Sequence, residues 1–156
     1  MNGTVHRIVI GVYSSLLTPA KILASFRAHM ADLGWRTIYY HDNGPGDEYL
    51  SAYHLEEQMQ DFNAFSFSSG AEKIIAIDIK AKDKLGLYAH EMGHICLGHD
   101  LFAPSPYEEM EADEFSSELI RVIKAGQASI SEQIEKSRSS SSAFEMEGRA
   151  NVTILF

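Results

Sequence analysis

Two histidines four residues apart, with a glutamate directly after the first, stand in the segment His90-Glu91-Met92-Gly93-His94. On an α-helix such a pair lies roughly 40° apart around the axis, so both imidazoles project from one face. The neighbouring sequence asks for a helix here. Leu85, Leu87, Tyr88, Met92, Ile95 and Leu97 spread an apolar stripe over residues 84–97 that is too wide for a surface helix. Immediately upstream, Lys73-Ile74-Ile75-Ala76-Ile77-Asp78-Ile79 is β-branched and bounded by polar residues, the pattern of a strand. A strand leading into a buried helix with a histidine pair narrows the choices to a packed fold in which the ring nitrogens must find polar partners. A solvated helix that happens to carry two His and one Glu does not explain the stripe.

A divalent metal is the economical partner. Two imidazoles so placed hold Zn²⁺ at about 2.0–2.1 Å and leave Glu91 beside the position open to water. Zinc lowers the pKa of a water toward ~7, and a neighbouring carboxylate can carry its proton to a leaving amine. His90 and His94 are therefore expected metal ligands and Glu91 the expected general base of a zinc-dependent peptidase. Because the motif specifies only three positions, the strand and helix around it carry much of the inference.

A catalytic zinc takes a third protein ligand. His99 is a poor choice, since five residues beyond His94 turn a continuing helix by about 140° net. The arrangement H-E-x-x-H-x-x-G-x-x-H, in which the third His follows a turn, is not matched by Ile95-Cys96-Leu97-Gly98-His99. Gly98 reads better as the stop of the helix, with His99 near its C-terminus. The better source is the acidic stretch Tyr107-Glu108-Glu109-Met110-Glu111-Ala112-Asp113-Glu114-Phe115, entered through Pro104-Ser105-Pro106, which marks a loop and an N-cap. Glu109 and Asp113 share a face, which lets Glu109 bind zinc while Asp113 accepts a hydrogen bond from the far nitrogen of a liganding His. Ala112 beside them is small enough for two helices to pack closely. Glu111 lies about 200° from Glu109 and is the main rival for the ligand position. Much of this acidic run is also accounted for as a solvated first helical turn stabilised by the dipole.

His90-Glu91-Met92-Gly93-His94 followed by Glu109-Met110-Glu111-Ala112-Asp113-Glu114-Phe115 resembles the ImmA/IrrE family of metallopeptidases, whose signature is H-E-L-G-H and then E-x-x-A-N-x-F-A. The strand over 74–79 and Leu87-Tyr88-Ala89 also fit, so the resemblance spans roughly residues 65 to 123. It implies a single-domain gluzincin with zinc on His90, His94 and Glu109, and Glu91 as general base. It further implies a protein substrate, a helix-turn-helix repressor of phage, mobile-element or stress genes. Asp113 replaces the usual Asn but keeps an acceptor. Ser116-Ser117-Glu118-Leu119-Ile120-Arg121 departs from the family's usual continuation, which bears on substrate and partner more than on the zinc chemistry.

The rest of the chain sets bounds. Its 156 residues suit one domain with a real core. A net charge of −9 argues against direct nucleic-acid binding, which needs clustered Lys and Arg. A gene-regulatory role would then act through another protein. The lone Cys96 excludes an intrachain disulfide, reads as a small core residue and weakly favours the cytoplasm. No apolar run reaches the ~20 residues needed to span a membrane.

The expected fold is α+β and zincin-like: a small mixed sheet, an active-site helix with the H-E-x-x-H motif and a following helix with the third ligand. Residues 1–136 form the metallopeptidase domain, and 137–156 a Ser-rich break and tail. Val5–Tyr13 reads as a strand in preference to a signal peptide. Thr18 caps a helix with Pro19 at its first position, with Ile22, Leu23, Phe26, Met30 and Leu33 on its apolar face and Gly34 as its stop. Trp35–His41 reads as a strand, Asp42–Asp47 as a turn or loop, and Glu48–Phe62 as a short helix or irregular loop whose Tyr49, Tyr53 and His54 could approach the cleft. Residues 74–79 would flank the cleft and receive an extended substrate as a further strand. The last residues, Val152–Phe156, could dock as a strand or bind a partner. The competing functional reading is a non-proteolytic module that keeps a zinc site and sequesters a repressor or antitoxin. A generic degradative peptidase fits the small size less well.

Overall fold

The computed structural model describes the backbone of residues 5–13, 18–139 and 147–155. In chain order the elements are β1 (Val5–Tyr13), α1 (Pro19–Asp32), β2 (Arg36–Tyr40), α2 (Pro45–Ala52), α3 (Glu56–Asp61), β3 (Ala64–Ser69), β4 (Glu72–Asp78), α4 (Lys84–Cys96), α5 (Pro106–Ser139) and β5 (Glu147–Leu155). The fold class is α+β. A three-stranded mixed sheet has the order β2-β4-β3, with β2 parallel and β3 antiparallel to β4. A separate antiparallel pair joins β1 to β5, from Val5 opposite Leu155 to Tyr13 opposite Glu147.

The central position of β4 explains its composition. Ile74, Ile75, Ala76 and Ile77 are all buried, because both faces of the strand are covered. Side chains alternate across the pleat. Ile75 and Ile77 pack with Ile22, Phe26 and Met30 of α1, Tyr88 and Met92 of α4, and Phe115, Leu119 and Ile123 of α5. Ile74 and Ala76 face the other way, onto Leu50 of α2, Leu55 and Met59 around α3, and Phe65 and Tyr40 of the neighbouring strands. The sheet is thus the middle layer between α1, α4 and α5 on one side and α2 and α3 on the other.

Local signals place the helices. Thr18 caps α1 by accepting a hydrogen bond from the Lys21 N–H at 3.3 Å, with Pro19 in the first turn. The apolar face holds at Ile22, Phe26 and Met30, whereas Leu33 is the half-exposed C-cap. Asp83 caps α4 through the Gly86 N–H at 2.9 Å. At the start of α5, Ser105 accepts from the Glu108 N–H while Glu108 accepts from the Ser105 N–H at 2.7 Å, a reciprocal capping box.

Several expectations need correction. The stretch 74–79 is not at the edge of the sheet: β4 is paired on both sides, and β3, absent from the sequence reading, holds the edge beside α4. The loop expected over Asp42–Asp47 ends early, because Pro45 opens α2. Glu48–Phe62 resolves into the end of α2 and α3. Tyr49 and Tyr53 pack on the sheet: Tyr49 donates to Glu72 at 2.7 Å, and the Tyr53 ring lies 5.4 Å from that of Phe67. Of the expected Ser-rich break, Ser137–Ser139 belong to α5, while Ser140–Ser142 lie outside the described residues. Up to Leu155, the expected tail is a strand paired with β1.

Candidate metal centre

The centre forms where α4 and α5 cross. Gly93 permits the approach: a Cβ built on it would lie 3.1 Å from the Ala112 Cα, 3.2 Å from the Ala112 oxygen and 3.2 Å from the Phe115 Cβ. With no side chain at 93 and only a methyl at 112, the backbones close up. Glu109, one turn before Asp113 on α5, then reaches the histidine face of α4.

His90 and His94 present their Nε2 atoms 3.0 Å apart. The Glu109 carboxylate stands 3.0 Å from the His90 Nε2 and 3.5 Å from the His94 Nε2. Taking one atom from each residue, the three donors lie within 4.8 Å of one another, a grouping that could close on one zinc. The donor chemistry, two imidazoles and a carboxylate, also suits it. Among the described residues, His90, His94 and Glu109 are the cluster whose ligand atoms converge in this way. Glu111 is not part of it; its carboxylate pairs with His99.

Each histidine is held from behind. The His90 Nδ1 lies 2.8 Å from an Asp113 carboxylate oxygen, the support expected from the four-residue spacing of Glu109 and Asp113. The His94 Nδ1 lies 3.0 Å from the His99 Nδ1. Gly98, at φ +70°, ends α4 and folds the chain back so that the His99 N–H donates to the His94 oxygen at 2.9 Å. The turn at Gly98 was legible in the sequence. Its consequence, a histidine returned to the rear of His94, was not.

Glu91 points away from solvent into the space between α4 and β3. Burial pushes its carboxyl above the ordinary carboxylate range, and the Glu109 charge adds to this. A hydrogen bond donated by Ser66 and the nearby His90 oppose it. The Ser66 hydroxyl donates to the Glu91 Oε2 at 2.5 Å, and both residues are buried. Ser66 escaped the sequence reading because the strand carrying it did, and a single serine in Ala64-Phe65-Ser66-Phe67 gives no signal of its own. Burial also lowers the pKa of His94, aided by His90 and His99 and opposed by Glu109, which favours the neutral ring a metal requires.

Comparison with known proteins gives no relative. No family model, no curated protein and no solved structure matches the chain. Cys96 is half-buried against the core, and burial pushes its thiol up to about 11. No helix among the described residues is long and apolar enough to cross a membrane.

Proposed function

We propose that the protein is a zinc-dependent endopeptidase with a zincin-like arrangement of edge strand, motif helix and ligand helix. One observation carries this reading: two imidazole Nε2 atoms stand 3.0 Å apart and each lies within 3.5 Å of one or the other Glu109 carboxylate oxygen, next to a buried glutamate in the H-E-x-x-H register. A structural zinc site has no use for that glutamate. His90, His94 and Glu109 would hold the ion, which when bound supplies an acidified water and a Lewis acid for the scissile carbonyl.

The residues of the chain divide the remaining work. Ser66 occupies the Glu91 Oε2, which leaves Oε1 to take a proton. In hydrolysis the water oxygen adds to the carbonyl carbon as one of its protons passes to Glu91. Glu91 then returns that proton to the amide nitrogen as the C–N bond breaks. A carboxyl held above its ordinary range is suited to both halves of this exchange. β3 carries Ser66 and is an edge strand of its sheet, so an extended peptide has backbone to pair with beside Glu91. The resemblance of the two motifs to ImmA/IrrE metallopeptidases extends the proposal to a helix-turn-helix repressor as substrate and to a site of action in the cytoplasm.

The test combines metal content with a single substitution. About one zinc per chain is expected in the wild type, lost in His94→Ala and Glu109→Ala. Glu91→Gln should keep its zinc and lose nearly all cleavage of a repressor substrate. An E91Q protein that cleaves at the wild-type rate would overturn the mechanism. Repressor binding without cleavage by zinc-loaded wild type would favour the sequestering module.

A further inference from the structure

The metal face does not use His99 or Glu111, yet the two are tied to it in series. The His99 ring is nearly enclosed, with its side chain 5% exposed. Both its nitrogens are engaged: Nδ1 stands 3.0 Å from the His94 Nδ1, and Nε2 stands 2.8 Å from the Glu111 Oε2. Glu111 lies on α5 two residues beyond Glu109, on the side turned from the ligand cluster. His99 itself is no ligand, because its inward nitrogen meets the rear of His94 and not the Nε2 side.

Hydrogen bonding fixes the proton positions along this series. A carboxylate has no proton to give, so the His99 Nε2 must donate to Glu111. With its ring proton placed on Nε2, His99 offers Nδ1 as an acceptor. Two facing nitrogens can share only one proton, so that proton belongs to the His94 Nδ1. The His94 Nε2 is left as a lone pair directed at the ligand cluster. His90 is oriented in one step, its Nδ1 donating to the Asp113 carboxylate.

We propose that His99 and Glu111 form an outer relay that locks His94 in the tautomer and orientation needed to bind the metal. They act as positioning residues and touch neither metal nor substrate. The asymmetry between the two ligand histidines gives the relay its purpose. Asp113, on the same face of α5 as Glu109, is within reach of His90; His94 lies a turn further along α4, and the chain returned by Gly98 bridges the gap with a second imidazole. This inference rests on the metal-centre reading above, and the experiment separates the two.

The zinc dissociation constant would be measured by competition with a chromophoric chelator for the full chain. The set comprises the wild type, His99→Ala, Glu111→Ala, the double variant, Glu111→Gln and Glu114→Ala. Breaking an outer-sphere hydrogen bond to a ligand typically weakens metal binding 10–100-fold. His99→Ala and Glu111→Ala should each fall in that range, and the double variant should be little worse than either, since the series is already broken. Glu111→Gln keeps an acceptor for the His99 Nε2 and should recover most of the affinity. Glu114→Ala removes the same charge one turn away and should change little. In the zinc-free protein, long-range ¹H–¹⁵N correlation spectra should place the His94 proton on Nδ1 in the wild type and release that preference in Glu111→Ala.

Wild-type affinity in both single variants overturns the relay, as does a His94 proton on Nε2 in the zinc-free wild type. Equal losses in Glu111→Ala and Glu114→Ala would reduce the effect to charge and also overturn it. If His99→Ala fails to fold, the half-exposed Glu111 carries the comparison. A wild type that binds no zinc refutes the metal-centre reading, while the His94 tautomer still decides the relay.

Discussion

Replacing Gly93 by alanine tests whether the spacing of α4 and α5 is what makes the centre. The added Cβ would meet the Ala112 Cα at 3.1 Å and two further atoms at 3.2 Å. Comfortable carbon contacts begin near 3.5 Å, so the helices must separate by roughly 0.3–0.5 Å at this level. That displacement exceeds the ~0.2 Å tolerance of a zinc–ligand distance. His90 and His94 ride on α4 and Glu109 on α5, so the opening acts directly on the gap between ligands. The expected outcome is zinc binding weaker by about tenfold, or ~1.4 kcal/mol. Stability responds differently, because Gly→Ala inside a helix gains about 1 kcal/mol of propensity against an overpacking cost of about 1–3 kcal/mol. Zinc-free Gly93→Ala should therefore unfold in urea within about 2 kcal/mol of the wild type. Chelator competition and urea unfolding, run in one buffer, separate the two effects. Wild-type zinc affinity in Gly93→Ala, with affinity lost in a parallel Glu109→Ala, would refute the claim that helix spacing sets the site.

Two further substitutions probe the surroundings. Ser66→Ala strips the buried Glu91 Oε2 of its donor. Because hydrogen bonds to charged groups contribute about 1.5–3 kcal/mol, stability should fall by about 2 kcal/mol in urea unfolding, and an unchanged midpoint would dismiss the bond as an anchor. The second concerns pH, away from the centre. Burial pulls the Asp78 carboxyl up, but the Lys80 N–H and His41, whose Nδ1 is 3.0 Å away, outweigh it and hold the group below its ordinary range. A depressed carboxyl contributes stability above its unfolded pKa of about 3.9 and loses it as pH falls through the folded value. Asp78→Asn should thus be less stable than the wild type at pH 7, with the gap closing below about pH 4; a gap constant between pH 7 and pH 3 would refute the assignment.

Legibility in this chain followed the range of the interactions involved. The motif helix, the strand before it, the caps at Thr18 and Ser105 and the stop at Gly98 each rest on residues within a few positions of one another, and the structure has all of them. Placing Glu109 and Asp113 on one face required only helical periodicity, and together with Ala112 it was enough to point to the helix that meets His90 and His94. β3 failed that test. Its pattern Ala64-Phe65-Ser66-Phe67-Ser68-Ser69 is short and polar, and Phe65 and Ser66 are buried by α4 and by the layer of α2 and α3, which no local signal announces. Missing β3 moved the sheet edge one strand too far, onto β4, and hid Ser66. His99 lies outside the cluster of His90, His94 and Glu109, in keeping with the helix geometry. Its contact with the rear of His94 depends on a reversal at Gly98 and on a carboxylate from another helix. The candidate cluster could be read from spacing along two helices, whereas the residues packed behind it, His99 and Ser66, come from a turn and a strand whose contacts with it carry no local signal.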